Sequence, residues 1–286
     1  MSRVYDERVC ALGEGPLWHP LRKQLFWFDI LGKRLLSREG EAPLEWAFDE
    51  YVSAAGWVDR ETLILASETG LWRFDPGSGQ RDLLVPLEAD NMATRSNDGR
   101  ADPQGGFWIG TMGKGAEPKA GAIYRYYRGE LRKLVPDVSI SNAICFAPGG
   151  GLGYYTDTLS GRVMRWALDR DTGWPIGAAE VFVDQRAEGL NPDGAVTDAE
   201  GNVWIAQWGA SRVAAYAPDG TFLRAVGVGG RHSSCPAFGG AEMTSLFCTT
   251  ALEHLSPEVV AAEPQNGMTF VCENVTRGQA EPAVIL

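Results

Sequence analysis

The chain has 286 residues, of which 44% are hydrophobic, and a formal net charge of −11 at pH 7. That balance argues against a nucleic-acid or anionic-membrane partner, since both are drawn to basic surfaces, and it favours neutral or cationic ligands. With 35 glycines, 10 tryptophans and no long amphipathic helical pattern, the composition points to strands joined by turns, in one domain over residues 1–286.

The opening MSRVYDERVCALGEG has no apolar core of the kind a secretory leader carries, and no apolar run approaches the ~18 residues of a membrane-spanning helix. A cytoplasmic protein is expected. Cys10, Cys145, Cys235, Cys248 and Cys272 are scattered and include no CxxC pair, so they read as buried thiols rather than zinc or redox ligands.

Along the chain, LFWFDI around Trp27, TLILAS around Ile64, GFWIGT around Trp108, LGYYTD around Tyr154, NVWIAQ around Trp204 and SLFCTT around Phe247 recur at intervals of roughly 37 to 50 residues. That is near the period of a four-stranded propeller blade, with each motif as the second strand. Tight reversals precede three of them, at Asp102 to Gly106, Pro148 to Gly151 and Asp198 to Asn202. Glu68-Thr69-Gly70 before LWRFD, Ser160-Gly161-Arg162 before VMRWAL and Ala210-Ser211-Arg212 before VAAYA supply third strands.

The cleanest unit is NPDGAVTDAEGNVWIAQW, read as a strand from Gly194 to Thr197, a turn, and a strand from Val203 to Gln207. The sequence therefore predicts an all-β fold, a six-bladed β-propeller of four-stranded antiparallel blades, with a ligand site at the mouth of its central channel. The last unit, Cys235 to Leu286, is the least regular, and the segment Val4 to Leu12 is expected to supply the strand that closes the ring.

No GxSxG elbow, HExxH helix or GxxxxGK[ST] phosphate loop is present. The glycine run at Gly149 to Gly153 sits in a hairpin turn, and His19, His232 and His254 share no ligand-like spacing, so all of these read as structural. What remains is a set of oxygen-bearing side chains at the starts of predicted innermost strands: Glu14 in LGEGPLW, Asn97 and Asp98 in RSNDGR, Asn142 in ISNAICF and Asp193 in NPDGAV. Singly each is an ordinary turn residue. Brought together on a channel axis, carboxylates need a cation, and an all-oxygen set suits Ca²⁺, Mg²⁺ or Mn²⁺, with Zn²⁺ less favoured.

These motifs, with ADPQGGFWIGTM and PDGAVTDAEGNVWIA, resemble the SMP-30/gluconolactonase/regucalcin family over most of the chain. The resemblance implies one divalent metal ion held by Glu14, Asn142 and Asp193, and substrate contacts from Arg95, Asn97 and the acidic Glu117, with Asp98 near the metal or its water. Trp18 and Trp208 are possible pocket walls. It also implies hydrolysis of a small-molecule sugar lactone, with Asp193 directing water onto a carbonyl carbon that the cation has polarised. A calcium-binding regulatory propeller and a propeller esterase or phosphotriesterase are the alternatives.

Overall fold

The computed structural model describes residues 2–286. It contains six four-stranded sheets, and neighbouring strands within each pair antiparallel. The innermost strands are Gly13–His19, Val52–Trp57, Thr94–Ala101, Ser141–Phe146, Asn191–Thr197 and His232–Gly239. Each touches the next, and the last touches the first, so the sheets form a closed six-bladed propeller. No helix among the described residues is long and apolar enough to cross a membrane.

All six second strands fall where the sequence pattern places them, at Gln24–Asp29, Leu63–Ser67, Phe107–Gly113, Leu152–Asp157, Val203–Trp208 and Ser245–Ala251. Their apolar residues form the layers between blades. Ile64, Ala66 and Leu71 of the second blade pack with Phe107, Ile109 and Tyr124 of the third, and burying such a side chain contributes about 1.5–3 kcal/mol.

Two of the turns are tied to these strands by a shared clasp. The Asp102 carboxylate accepts from Gln104 N and Gly106 N at 3.0 and 2.8 Å, and from the Trp108 indole at 3.1 Å. Asp198 does the same for Glu200 N, Asn202 N and the Trp204 indole, at 3.0, 2.9 and 3.0 Å. One aspartate thus fixes the reversal and lets a fully buried tryptophan keep its polar N–H satisfied.

The ring closes with residues from both extremes of the sequence. In the sixth sheet the outermost strand is Arg3–Asp6, paired with Thr269–Cys272, and Leu12 bridges Ala251. The closing strand lies a little earlier than the expected Val4 to Leu12. A short helix, Pro257–Ala262, interrupts this blade and accounts for its irregular sequence.

Residues 279–286 then cross the end of the channel where the innermost strands finish. Gln279 N donates to Thr197 O, Val284 N to Trp57 O and Ile285 N to Gly105 O, while the Trp57 indole donates to Glu281 O. The Glu281 carboxylate pairs with Arg100, whose guanidinium also donates to Ile144 O and Pro236 O, and both side chains are buried.

Candidate active site

All six innermost strands carry a register irregularity near their starts, between Glu14 and Leu17, Val52 and Ala54, Ser96 and Gly99, Asn142 and Cys145, Pro192 and Ala195, and Ser233 and Pro236. A bulge leaves residues unpaired and re-aims their side chains. Glu14 and Asn142 stand just before their bulges, while Asn97 and Asp193 lie within theirs. Hence the fifth innermost strand begins at Asn191 rather than Gly194, with Asp193 inside the sheet. Gly15 has φ +52, and a Cβ there would meet Ser53 O at 2.2 Å, so the first bulge requires glycine.

At the two remaining bulges the chain places hydroxyls, and both join neighbouring blades. Ser53 donates to Ser96 Oγ at 2.7 Å, and Ser234 donates to Gly13 O at 2.5 Å.

The bulges open into a cavity of about 210 Å³, whose wall includes Glu14, Arg95, Asn97, Asn142, Asp193 and Trp208. One hydrogen-bond chain orients its amides. Arg95 Nη1 donates to Asn97 Oδ1 at 2.7 Å, Asn97 Nδ2 to Asn142 Oδ1 at 3.1 Å, Asn142 Nδ2 to Thr158 Oγ1 at 2.9 Å, and Thr158 Oγ1 to Pro192 O at 2.8 Å. Asn97 also donates to Ser141 O at 2.9 Å, so both its N–H donors are engaged by protein, while Asn97 Oδ1 and Asn142 Oδ1 each accept one hydrogen bond and retain a lone pair.

The carboxylates are differently placed. Burial, followed by the charge of Asp98, pushes Glu14 up to about 8, although Gly15 N donates to it at 2.9 Å. Burial and then the charge of Glu14 hold Asp193 well above the ordinary carboxylate range. Burial lowers the pKa of Arg95, opposed by Glu253 and Glu14. Among the described residues neither Glu14 nor Asp193 makes an ion pair within 4 Å.

Two buried, mutually repelling carboxylates beside an amide oxygen that keeps a lone pair fit a hard divalent cation. Among the described residues no group of three or more His, Cys, Asp or Glu is poised for a metal, so any such set is of mixed carboxylate and amide oxygens.

Three sequence candidates stand elsewhere. Asp98 does not line the cavity: Ile144 N donates to its Oδ2 at 2.7 Å, its Oδ1 is buried without a partner, and burial raises it to about 6 despite Arg100. Glu117 is exposed, accepts from Gly115 N at 3.0 Å, and is not part of the wall. Trp18 stacks on Phe247 in the core, at 5.8 Å, while Trp208 faces the cavity and stacks on His232 at 4.2 Å.

Sequence reasoning missed Met112, Lys114, Thr158, Glu253 and His254 in the wall. Each sits at or just beyond the end of a second strand, and in antiparallel blades those ends share a rim with the starts of the innermost strands. The repeat register itself carried that signal.

The family described as SMP-30/Gluconolactonase/LRE-like region matches residues 12–252. The crystal structure of a calcium-binding protein, regucalcin, from Agrobacterium tumefaciens str. C58 superposes with a TM-score of 0.98 at 40% identity, covering 100% of this chain and 98% of that one. The L-arabinolactonase of Azospirillum brasilense is 32% identical over 94% of this chain and 91% of its own length. The 6-deoxy-6-sulfogluconolactonase of Pseudomonas putida is 32% identical over 95% and 94%. With this match and the cavity set at the bulged strand starts, the chain belongs to the SMP-30/gluconolactonase/LRE-like family.

Proposed function

We propose that this chain is a carboxylic ester hydrolase that opens sugar lactones to aldonic acids, with a divalent cation held by Glu14, Asn142 and Asp193. The observation that carries the reading is the pair of buried carboxylates, Glu14 and Asp193, facing one cavity without an ion-pair partner, in a family whose relatives include lactonases. A bound cation supplies charge compensation for these carboxylates and Lewis-acid activation of a carbonyl.

Among the described residues the cavity wall has no serine or cysteine, and the Thr158 hydroxyl is committed to Pro192 O, so the nucleophile is water. Asp193 accepts the proton that water loses as it adds to the lactone carbonyl carbon. The proton passes to the ring oxygen as the acyl C–O bond opens, leaving a hydroxy acid. Arg95 uses one nitrogen to hold Ser96 O and Asn97 Oδ1, at 3.0 and 2.7 Å, and presents its remaining N–H groups to substrate hydroxyls and ring oxygen. Asn97 positions Asn142 through its amide, while Met112, Ile140 and Trp208 give the sugar's C–H face an apolar wall. Oxygen donors favour Ca²⁺, Mg²⁺ or Mn²⁺ over Zn²⁺.

The test is metal analysis of the purified protein followed by a pH-stat assay over five- and six-carbon lactones, before and after chelation. Metal-dependent lactone opening is expected. Metal binding with no hydrolysis of any lactone would overturn the enzyme reading in favour of a calcium-binding regulator. Hydrolysis undiminished in metal-free protein would overturn the role of the cation.

A further inference from the structure

We propose that Glu253 sets the charge class of the substrate, so that the site takes lactones bearing uncharged hydroxyls and rejects those bearing phosphate, sulfonate or carboxylate substituents. This rests on the lactonase reading and deepens it.

Glu253 follows the second strand of the sixth blade, Ser245–Ala251, at the cavity rim. Its backbone is pinned from two sides. Leu252 N and Glu253 N both donate to Ala11 O, at 3.1 and 2.9 Å, and Glu253 O lies 2.9 Å from Nδ1 of His232, the ring stacked on Trp208. The next residue, His254, has φ 65, which turns the chain sharply at the rim. Among the described residues the half-buried Glu253 side chain makes no ion pair within 4 Å, unlike Glu68, which holds Lys114. Its carboxylate therefore remains an acceptor for ligand hydroxyls.

The charges of the wall follow from these contacts. Glu14, Asp193 and Glu253 are acidic; Arg95 is the buried cation, and Glu253 is the strongest carboxylate influence upon it. Lys114 is already paired with Glu68, its ammonium 5.6 Å from the centre of the Tyr51 ring. A divalent cation on Glu14 and Asp193 cancels their charge, and Glu253 cancels that of Arg95. An uncharged polyol ring enters a balanced site, whereas an anionic substituent adds a charge that neither Arg95, offset by Glu253, nor Lys114, paired with Glu68, is free to balance. Without Glu253, Arg95 becomes an unbalanced guanidinium suited to an oxyanion.

The experiment compares Glu253→Gln and Glu253→Asp with wild type. It reads the ratio of kcat/KM for a neutral six-carbon aldonolactone to that for the same lactone carrying a 6-phosphate, with metal content measured in each protein. Wild type and Glu253→Asp should favour the neutral lactone, and Glu253→Gln should narrow the ratio about tenfold or more, since like-charge juxtaposition in a binding site is strongly disfavoured. A second arm measures, by calorimetry on the metal-loaded protein, binding of the cyclic ether 1,5-anhydroglucitol and its 6-phosphate. Glu253→Gln should tighten binding of the phosphate about tenfold relative to the neutral ether. An unchanged ratio in Glu253→Gln, or a wild type that treats both ligands alike, overturns the proposal. If neither lactone is opened, the lactonase reading falls and the calorimetric arm alone decides the role of Glu253.

Discussion

The two ends of the central channel treat buried charge in opposite ways. At the end where the innermost strands finish, Glu281 meets Arg100, and the pair is covered by residues 279–286. At the other end, Glu14 and Asp193 are just as buried, repel one another and open on a cavity. A paired buried carboxylate closes a structure, whereas unpaired ones at a cavity mark the place a ligand is meant to complete. Substitutions at the two ends should therefore have opposite signatures.

The largest effect expected is on turnover at the open end. Asp193→Asn should lower kcat for a sugar lactone by about 10²–10⁴ even at saturating metal, because the amide cannot accept a proton. Its thermal midpoint without metal should not fall below that of wild type, since the variant removes a repelling buried charge. Rate and melting measured on one preparation check both halves, and a variant that turns over normally would leave Asp193 as a ligand only.

At the closed end the signature reverses. Glu281→Gln leaves Arg100 buried without its ion-pair partner and should destabilise the fold by about 3–5 kcal/mol in denaturant titration. The double variant Arg100→Met with Glu281→Leu should recover much of that loss. If the double variant is as unstable as the single one, the pair acts through packing of the tail rather than charge.

A smaller effect sharpens the chemistry of the open end. Arg95→Ala should reduce kcat/KM for a polyhydroxylated lactone by roughly ten- to a hundredfold, the equivalent of a lost charge-assisted hydrogen bond. A plain unsubstituted lactone should be nearly unaffected. Equal losses on both substrates would assign Arg95 to supporting Asn97 and Asn142 alone.

The smallest expected effect concerns pH and lies in the wall. Burial lowers the pKa of His232 below its ordinary 6.5, and the hydrogen bond to Glu253 O only partly opposes this. The folded state thus resists protonation more than the unfolded chain does. Its contribution to stability is complete above 6.5 and is lost as pH falls below that value. Melting curves followed by tryptophan fluorescence should show a shallower acid loss in His232→Gln than in wild type. An identical pH slope would remove His232 from the balance.

Much of this was legible in the sequence because it repeats. The second strands announce themselves by alternation and by turns such as Asp102 to Gly106, where one local run fixes reversal and tryptophan together. Glu14, Arg95, Asn97, Asn142 and Asp193 do meet at one cavity, since the repeat places equivalent strand starts around one axis. Features that depend on unlike neighbours were not legible. Glu117 turns to Gly115 N in its own loop, the bulge draws Asp193 inside the strand, and Glu253 and His254 reach the wall only because the last blade meets the first. Likewise nothing in EPAVIL announces that Val284 will lie against Phe107.

The shared sixth sheet also has a consequence in time. Arg3 pairs with Val271, and Leu12 with Ala251, so these contacts join an early stretch of the chain to one translated much later. Residues Gly13 to Gly227 can form five blades as they emerge, but Glu14 must wait for Glu253 before the cavity wall exists. Pairings across such sequence distances close slowly. A nascent chain short of its sixth blade would expose the apolar faces of the first and fifth blades on both sides of the gap, which makes arrival of the sixth blade, rather than formation of any earlier one, the step at which the molecule leaves its aggregation-prone state.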